Sequence, residues 1–130
     1  LAGITCPVEY GGAGLTAGHQ RVFDQEAADY DLGLEVFAVA MDLVVPTLLA
    51  HGTEAQKAHH LPRILRGEEL WCQLFSEPGA GSDLASLSTR ADLRDDGWHV
   101  TGQKVWTSGG QHADHAILVA RSDASVPKHR

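Results

Sequence analysis

Basic residues, cysteines and long apolar runs are all scarce in this sequence, and each scarcity excludes something. Ten Lys and Arg stand against seventeen Asp and Glu, a formal charge of −7. Phosphate backbones and anionic membrane surfaces are held by clustered basic residues, so neither is an expected partner. The only cysteines, Cys6 and Cys72, lie far apart and outside any CxxC. That argues against a disulfide framework or a structural zinc site, and for reducing, aqueous surroundings. No apolar stretch is long and unbroken enough for a membrane span, which takes about 20 residues. There is no initiator Met and no charged segment ahead of an apolar one, so a signal peptide is not expected. The expected location is cytoplasmic, or the mitochondrial matrix for a eukaryotic source.

What is present suits a folded chain. Of 130 residues, 43% are hydrophobic and 21% charged, the balance of a soluble globular protein. The first fourteen residues, with Pro7 and several glycines, read as an irregular entry loop. Thr16 is an N-cap candidate for a helix to about Tyr30, with Val22, Phe23, Ala27 and Tyr30 on one stripe. Between Leu34 and Ala50 only Glu35, Asp42 and Thr47 are polar, so a helix there requires cover on almost every side. Pro46 should kink or break that helix, and Gly52 suits the position just past its end.

Thr53-Glu54-Ala55-Gln56 is a capping box, and the helix it opens should be interrupted or restarted at Pro62 and closed by Gly67. From Leu70 the turn signals crowd together at Glu77-Pro78-Gly79, Asp96-Gly97, Thr101-Gly102 and Gly109-Gly110. Candidate strands are Leu70–Phe75, Thr89–Leu93, Trp98–Thr101, Lys104–Thr107 and His115–Arg121. The fold class is therefore α+β, helical before residue 68 and β after it. No internal repeat appears, and residues 122–130 read as a polar loop.

Two runs carry chemistry. In the first, Trp71 to Asp83, a strand ends in the Ser76 hydroxyl, turns through Pro78 and glycines, and delivers the Ser82 hydroxyl. Glycines let backbone approach a planar or phosphorylated ligand, and exposed amides there can bind oxygen. A tight turn with no ligand fits the same residues. In the second, Gly102 to Gly110, Trp106 is followed by Thr107 and Ser108, a flat face beside hydrogen-bond donors. A strand Trp packed into a core is the competing reading. Glu77 is better explained as stabilising its turn than as a catalytic base, and Asp83 as capping a short turn at 84–87. His59-His60 and His112-Ala113-Asp114-His115 lack the HExxH or Cys/His spacing of metal sites, and adjacent helix positions face apart, so no metal is expected.

Together these blocks resemble the acyl-CoA dehydrogenase family. The resemblance rests on Pro7-Val8-Glu9-Tyr10-Gly11-Gly12, the segment His51 to Lys57 with Leu61-Pro62, and Ser76-Glu77-Pro78-Gly79-Ala80-Gly81-Ser82-Asp83. It continues through Gly102-Gln103-Lys104-Val105-Trp106 and Val119-Ala120-Arg121-Ser122. It implies residues 1–67 from the end of an N-terminal helical domain and 68–130 from the start of a middle, antiparallel β-barrel-like domain. The implied cofactor is FAD. Gln73, Phe75 and Ser76 would lie against its isoalloxazine ring, with Ser76 on the pyrimidine edge. Gly81 and Ser82 would extend that wall, Ser82 also touching the acyl-CoA substrate. Trp106, Thr107 and Ser108 would complete the flavin site, Ser108 near N5. The family more often has Thr at the Ser76 and Ser108 positions, and Ser keeps the hydroxyl.

The resemblance further implies oxidation of an acyl-CoA to its 2,3-enoyl-CoA, with electrons passed to an electron-transfer flavoprotein. The carboxylate base would come from a C-terminal domain outside these residues, so no catalytic residue is assigned here. A homo-oligomer, commonly a tetramer, is implied for the full-length chain. A flavin-dependent monooxygenase of the same fold and a non-catalytic partner subunit are the alternatives.

Overall fold

A computed structural model describes residues 3–128, so the first two residues of the entry loop and the last two of the tail lie outside the described residues. The chain divides into two compact units. One gathers the residues up to Trp71 with His112–His115, the other Cys72–Gln111 with Ala116 onward.

The first unit is helical. Its entry segment folds back on itself through Ala13 N–H to the Gly3 carbonyl (3.0 Å) and Leu15 N–H to the Ile4 carbonyl (2.8 Å), around a 3₁₀ turn at Val8–Tyr10. Helix α1, Ala17–Ala27, is capped by Thr16 as expected, and ends three residues short of Tyr30. Only half of its expected stripe is covered: Phe23 and Ala27 are half-buried, while Val22 and Tyr30 are exposed. The apolar stretch after Leu34 forms a 3₁₀ turn at Glu35–Phe37, a π-helical turn at Ala40–Val44, and helix α2 at Val45–His51. Pro46 falls in the first turn of α2, where the α-helical pattern restarts after the π-helical turn. The widened turn before it, in which Val45 N–H reaches the Ala40 carbonyl, makes room for its ring. Cover on almost every side is not found, for Val36 is 61% exposed and the buried positions are Ala40, Val44 and Val45.

Gly52 ends α2 with φ −67, an extended conformation, so it is not a left-handed cap. A glycine is needed for space instead, because a Cβ there would sit 2.7 Å from the Leu48 carbonyl oxygen. Helix α3, Glu54–Leu65, opens with the expected box: Gln56 N–H donates to Thr53 Oγ1 at 3.2 Å, and Thr53 N–H to Gln56 Oε1 at 2.9 Å. Pro62 lies inside α3 without interrupting it, and Gly67 closes it at φ +70. Leu61, Ile64 and Leu65 are the buried face of α3. Tyr10 is tied to this helix by its hydroxyl, which donates to Glu54 at 2.8 Å.

The second unit is β. Strand β1, Trp71–Leu74, pairs with β4, His115–Leu118, and Val119 N–H donates to the Leu74 carbonyl at 3.3 Å. Strands β2, Arg90–Arg94, and β3, Gly97–Thr101, form an antiparallel hairpin with Leu93 opposite Trp98 and Ala91 opposite Val100. Arg121 continues the edge of β2, receiving Ala91 N–H and donating to the Thr89 carbonyl, each at 2.8 Å. These are two separate two-stranded sheets among the described residues, so the barrel-like expectation is not met. The expected strand at 104–107 is absent as well. Trp106 has φ +59, which no strand residue adopts, and Val105 supplies a lone cross-bridge to the Ser76 carbonyl. No helix among the described residues is long and apolar enough to cross a membrane.

Two outcomes test the first unit. Thr53→Ala should lower stability by about 1 kcal/mol in urea titrations, since it removes the hydroxyl that accepts Gln56 N–H and leaves only the backbone half of the box. The hydrogen bond to Glu54, helped by burial, pushes the Tyr10 hydroxyl from 10.0 up to about 12. A raised value in the folded state means the contribution is present below pH 10 and is lost between 10 and 12. Tyr10→Phe should flatten stability over that interval.

Candidate functional site

The site grows from the end of β1. Gln73 is exposed on that strand, and Phe75 and Ser76 follow it half-buried. At Glu77 the chain turns sharply: Glu77 and Ala80 exchange backbone hydrogen bonds of 2.8 and 3.1 Å across Pro78-Gly79. The turn sends Gly81, Ser82 and Asp83 out to the surface. Asp83 precedes a 3₁₀ turn at Leu84–Ser86, as expected, but its carboxylate takes the Ser86 hydroxyl (2.5 Å) and the Lys128 ammonium (2.8 Å) instead of a backbone amide.

Glu77 points inward. Its carboxylate accepts from Ser88 N–H and Ser88 Oγ at 2.7 Å, Thr89 N–H at 2.9 Å, and Lys104 Nζ at 2.9 Å. Lys104 also donates to the Phe75 carbonyl at 2.8 Å. Both side chains are almost wholly buried, Lys104 at 7% exposure and Glu77 at 4%. Burial by itself pushes the Glu77 carboxyl up, but the groups donated by Thr89 and Ser88 outweigh it and hold the carboxyl far below the usual carboxylate range. A carboxylate so fully engaged is a poor proton acceptor, so Glu77 is the turn's organiser and not a base. Gly102 belongs to the same knot, for a Cβ there would lie 2.2 Å from Thr89 Oγ1.

The second run is thereby laid beside the first. Val105 N–H donates to the Ser76 carbonyl at 3.0 Å, and Lys104 reaches the Phe75 carbonyl. The next residue, Trp106, takes the left-handed conformation and is 88% exposed. A core Trp is thus excluded in this structure. Thr107 is half-buried, and Ser108 begins an exposed turn in which its N–H donates to the Trp106 carbonyl at 3.1 Å. Among the described residues, no hydrogen bond joins Gln73, Gly81 or Ser82 to Trp106–Ser108.

These residues suit a flat, polar-edged ring system such as a flavin. The Trp106 face is open, and nothing lies within 4 Å of a Cβ built on Gly79 or Gly81. The side-chain hydroxyls of Ser76, Ser82 and Ser108 make no hydrogen bond among the described residues, so their donors remain available.

The first unit holds a separate cluster that the spacing of its histidines did not disclose. Glu69, buried, accepts from Trp71 Nε1 at 3.1 Å and pairs with His60 Nδ1 at 3.0 Å. His115 stacks nearby, its ring 5.1 Å from His60 and 4.9 Å from Trp71. Although adjacent on α3, the His59 and His60 rings meet edge-on at 4.7 Å, and with Glu69 they bring three ligand-type atoms within 4.8 Å. The Arg63 guanidinium disfavours a second cation there, lying 3.1 Å from His59 Nδ1 and 3.9 Å from Glu69 Oε1. Asp114, in the neighbouring His-Ala-Asp-His run, accepts Leu70 N–H at 2.9 Å.

Comparison with known proteins decides the family. The profile of the acyl-CoA dehydrogenase N-terminal domain matches residues 1–68, and that of the middle domain residues 72–130. The chain belongs to the acyl-CoA dehydrogenase family. Among its relatives, acyl-CoA dehydrogenase IpdE1 of Mycobacterium tuberculosis is 45% identical over 98% of this chain and 34% of its own length. The (2S)-methylsuccinyl-CoA dehydrogenase of Cereibacter sphaeroides is 36% identical over 98% of this chain and 23% of its own. Among solved structures, the Tcur3481-Tcur3483 steroid ACAD superposes with a TM-score of 0.84 at 42% identity, covering 98% of this chain and 33% of that one. Butyryl-CoA dehydrogenase from Megasphaera elsdenii gives 0.77 at 32% identity, covering 95% and 33%. The chain spans about a third of the length of most such relatives.

The residues that sequence reasoning passed over are Lys104, Ser88 and Thr89. A lone Lys amid Gly102-Gln103-Lys104-Val105-Trp106 gave one available signal, since a cation inside a strand-like apolar run needs a partner. Lys104→Met should cost about 3 kcal/mol, because it strands the buried Glu77 charge. The depressed Glu77 carboxyl contributes stability above pH 4.5, its ordinary value, and the contribution is lost as pH falls toward the lower folded value. Glu77→Gln should therefore show a flatter acid limb than the parent in denaturation followed by circular dichroism.

Proposed function

We propose that this chain forms one wall of the flavin and substrate site of an FAD-dependent acyl-CoA dehydrogenase. In this reading residues 1–67 belong to its N-terminal helical domain and residues 68–130 to its middle domain. The single observation that carries the reading is the pairing of the two runs. Ser76 and Val105 hold them together, and an exposed, left-handed Trp106 stands beside hydroxyls with no hydrogen-bond partner among the described residues.

Each residue then has a task. Trp106 covers the ring face turned away from the substrate, while Gln73, Phe75 and Thr107 complete its surroundings. Ser76 donates to the pyrimidine edge and Ser108 in the region of N5. Donors set there in advance would stabilise negative charge on a bound flavin, an electrostatic effect of the oxyanion-hole kind. Gly81 lets the backbone come close, and Ser82 contacts both cofactor and acyl-CoA. Bound FAD would supply the hydride-accepting ring, a chemistry that side chains lack. The α-proton of the thioester goes to a carboxylate from outside these residues, which must lie within hydrogen-bond reach of it.

The product is the 2,3-enoyl-CoA, and the electrons leave to an electron-transfer flavoprotein. Assembly with other subunits fits the company the chain keeps, since one similar structure is a ChsE4-ChsE5 complex. A cytoplasmic location is part of the same proposal.

The test is made on the full-length protein. It should purify yellow or become so on adding FAD, and should bleach when an acyl-CoA substrate is added anaerobically. Trp106→Ala should weaken FAD binding roughly ten-fold, the effect of one lost stacking face. A protein that stays colourless at saturating FAD overturns the reading.

A further inference from the structure

Trp106 combines two properties that rarely coexist. It is a bulky residue at φ +59, and it is 88% exposed, so packing of the side chain does not hold it there. A strained backbone of this kind persists only where neighbouring structure over-determines it. On the C-terminal side the constraints are local: Ser108 N–H to the Trp106 carbonyl at 3.1 Å and Gly110 N–H to the Thr107 carbonyl at 3.2 Å. On the N-terminal side they are long-range, and they come from Val105 on Ser76 and from Lys104.

Lys104 Nζ places one proton on Glu77 Oε1 at 2.9 Å and another on the Phe75 carbonyl at 2.8 Å. Its two anchors lie on either side of Ser76, and Lys104 itself lies two residues before Trp106. Glu77 cannot follow a displaced cation, because Ser88 and Thr89 fix both of its oxygens. A compact ammonium fits between these two acceptors, whereas the planar guanidinium of Arg presents its donors in a fixed fork.

We propose that Lys104 is a positioning residue, clamped between Glu77 and the Phe75 carbonyl so that Trp106 and Ser76 are held in one fixed arrangement. The link to the cofactor rests on the flavin reading above; the clamp on Trp106 does not. Lys104 thus sets the orientation of a ring it never touches.

The experiment uses full-length protein labelled with 5-fluorotryptophan, the Trp106 fluorine resonance being assigned with Trp106→Phe. Two variants are compared with the parent. Lys104→Met combined with Glu77→Gln removes both charges at nearly constant volume and leaves no unpaired ion, and Lys104→Arg keeps the charge but changes its shape. In whichever variant folds, the Trp106 resonance should move or split while that of Trp98 stays in place. FAD affinity should fall roughly ten-fold, as for a misplaced stacking face. A single, unmoved Trp106 resonance overturns the clamp, whatever FAD does. A moved resonance with unchanged FAD affinity sustains the clamp and overturns its link to the flavin. If the parent itself takes up no FAD, the flavin reading fails and the fluorine resonance alone decides the clamp.

Discussion

A carboxylate and an ammonium, both almost wholly withdrawn from water, face each other at 2.9 Å between Glu77 and Lys104, and the second unit is arranged around satisfying them. Neither charge tolerates burial alone. The turn at Glu77–Ala80 aims the carboxylate inward, Ser88 and Thr89 just before β2 offer two amides and a hydroxyl to its free lone pairs, and the Phe75 carbonyl accepts a further ammonium hydrogen bond. Three stretches distant in sequence, near 76, 88 and 104, are therefore fastened at one point. Few buried apolar side chains are available there, with Cys72, Ala80 and Leu87 the main ones, so polar geometry sets the arrangement more than hydrophobic packing does.

Local signals in the sequence were accurate where the physics is local. The Thr53–Gln56 box, the Thr16 cap, the closing turn at Gly67 and the Asp96-Gly97 hairpin all depend on residues within a few positions of one another. Failures arose where an adjacent turn or a distant group decides. A π-helical turn precedes Pro46, and α3 runs through Pro62, where an interruption or restart is expected. Residues 104–107 alternate like a strand, but Lys104 is drawn in by Glu77, and Trp106 reverses its backbone. The two site runs could be located from their residues. Their union through Ser76 and Val105 could not, because no periodicity encodes a contact across 29 positions.

The first unit shows the same dependence on polar hubs. Glu69 collects Trp71 and His60, with Arg63 and His115 close by, at the point where α3 gives way to β1. Read singly, these histidines look scattered. Around a buried carboxylate they become neighbours, each ring packed against the edge of another. Of the apolar residues that remain exposed in this unit, Leu34 and Val36 are the ones a nearly all-apolar helical run leaves over when only one of its faces is covered.

The left-handed backbone at Trp106 has one more consequence. A glycine would occupy that conformation at no steric cost, and asparagine at little. The residue that best suits the fold at this position is therefore not the one that offers a broad aromatic face. Selection for thermal robustness and selection for ligand capture pull this one site in opposite directions. A stabilised variant found without regard to activity would be drawn to replace the very side chain the surface is built to display.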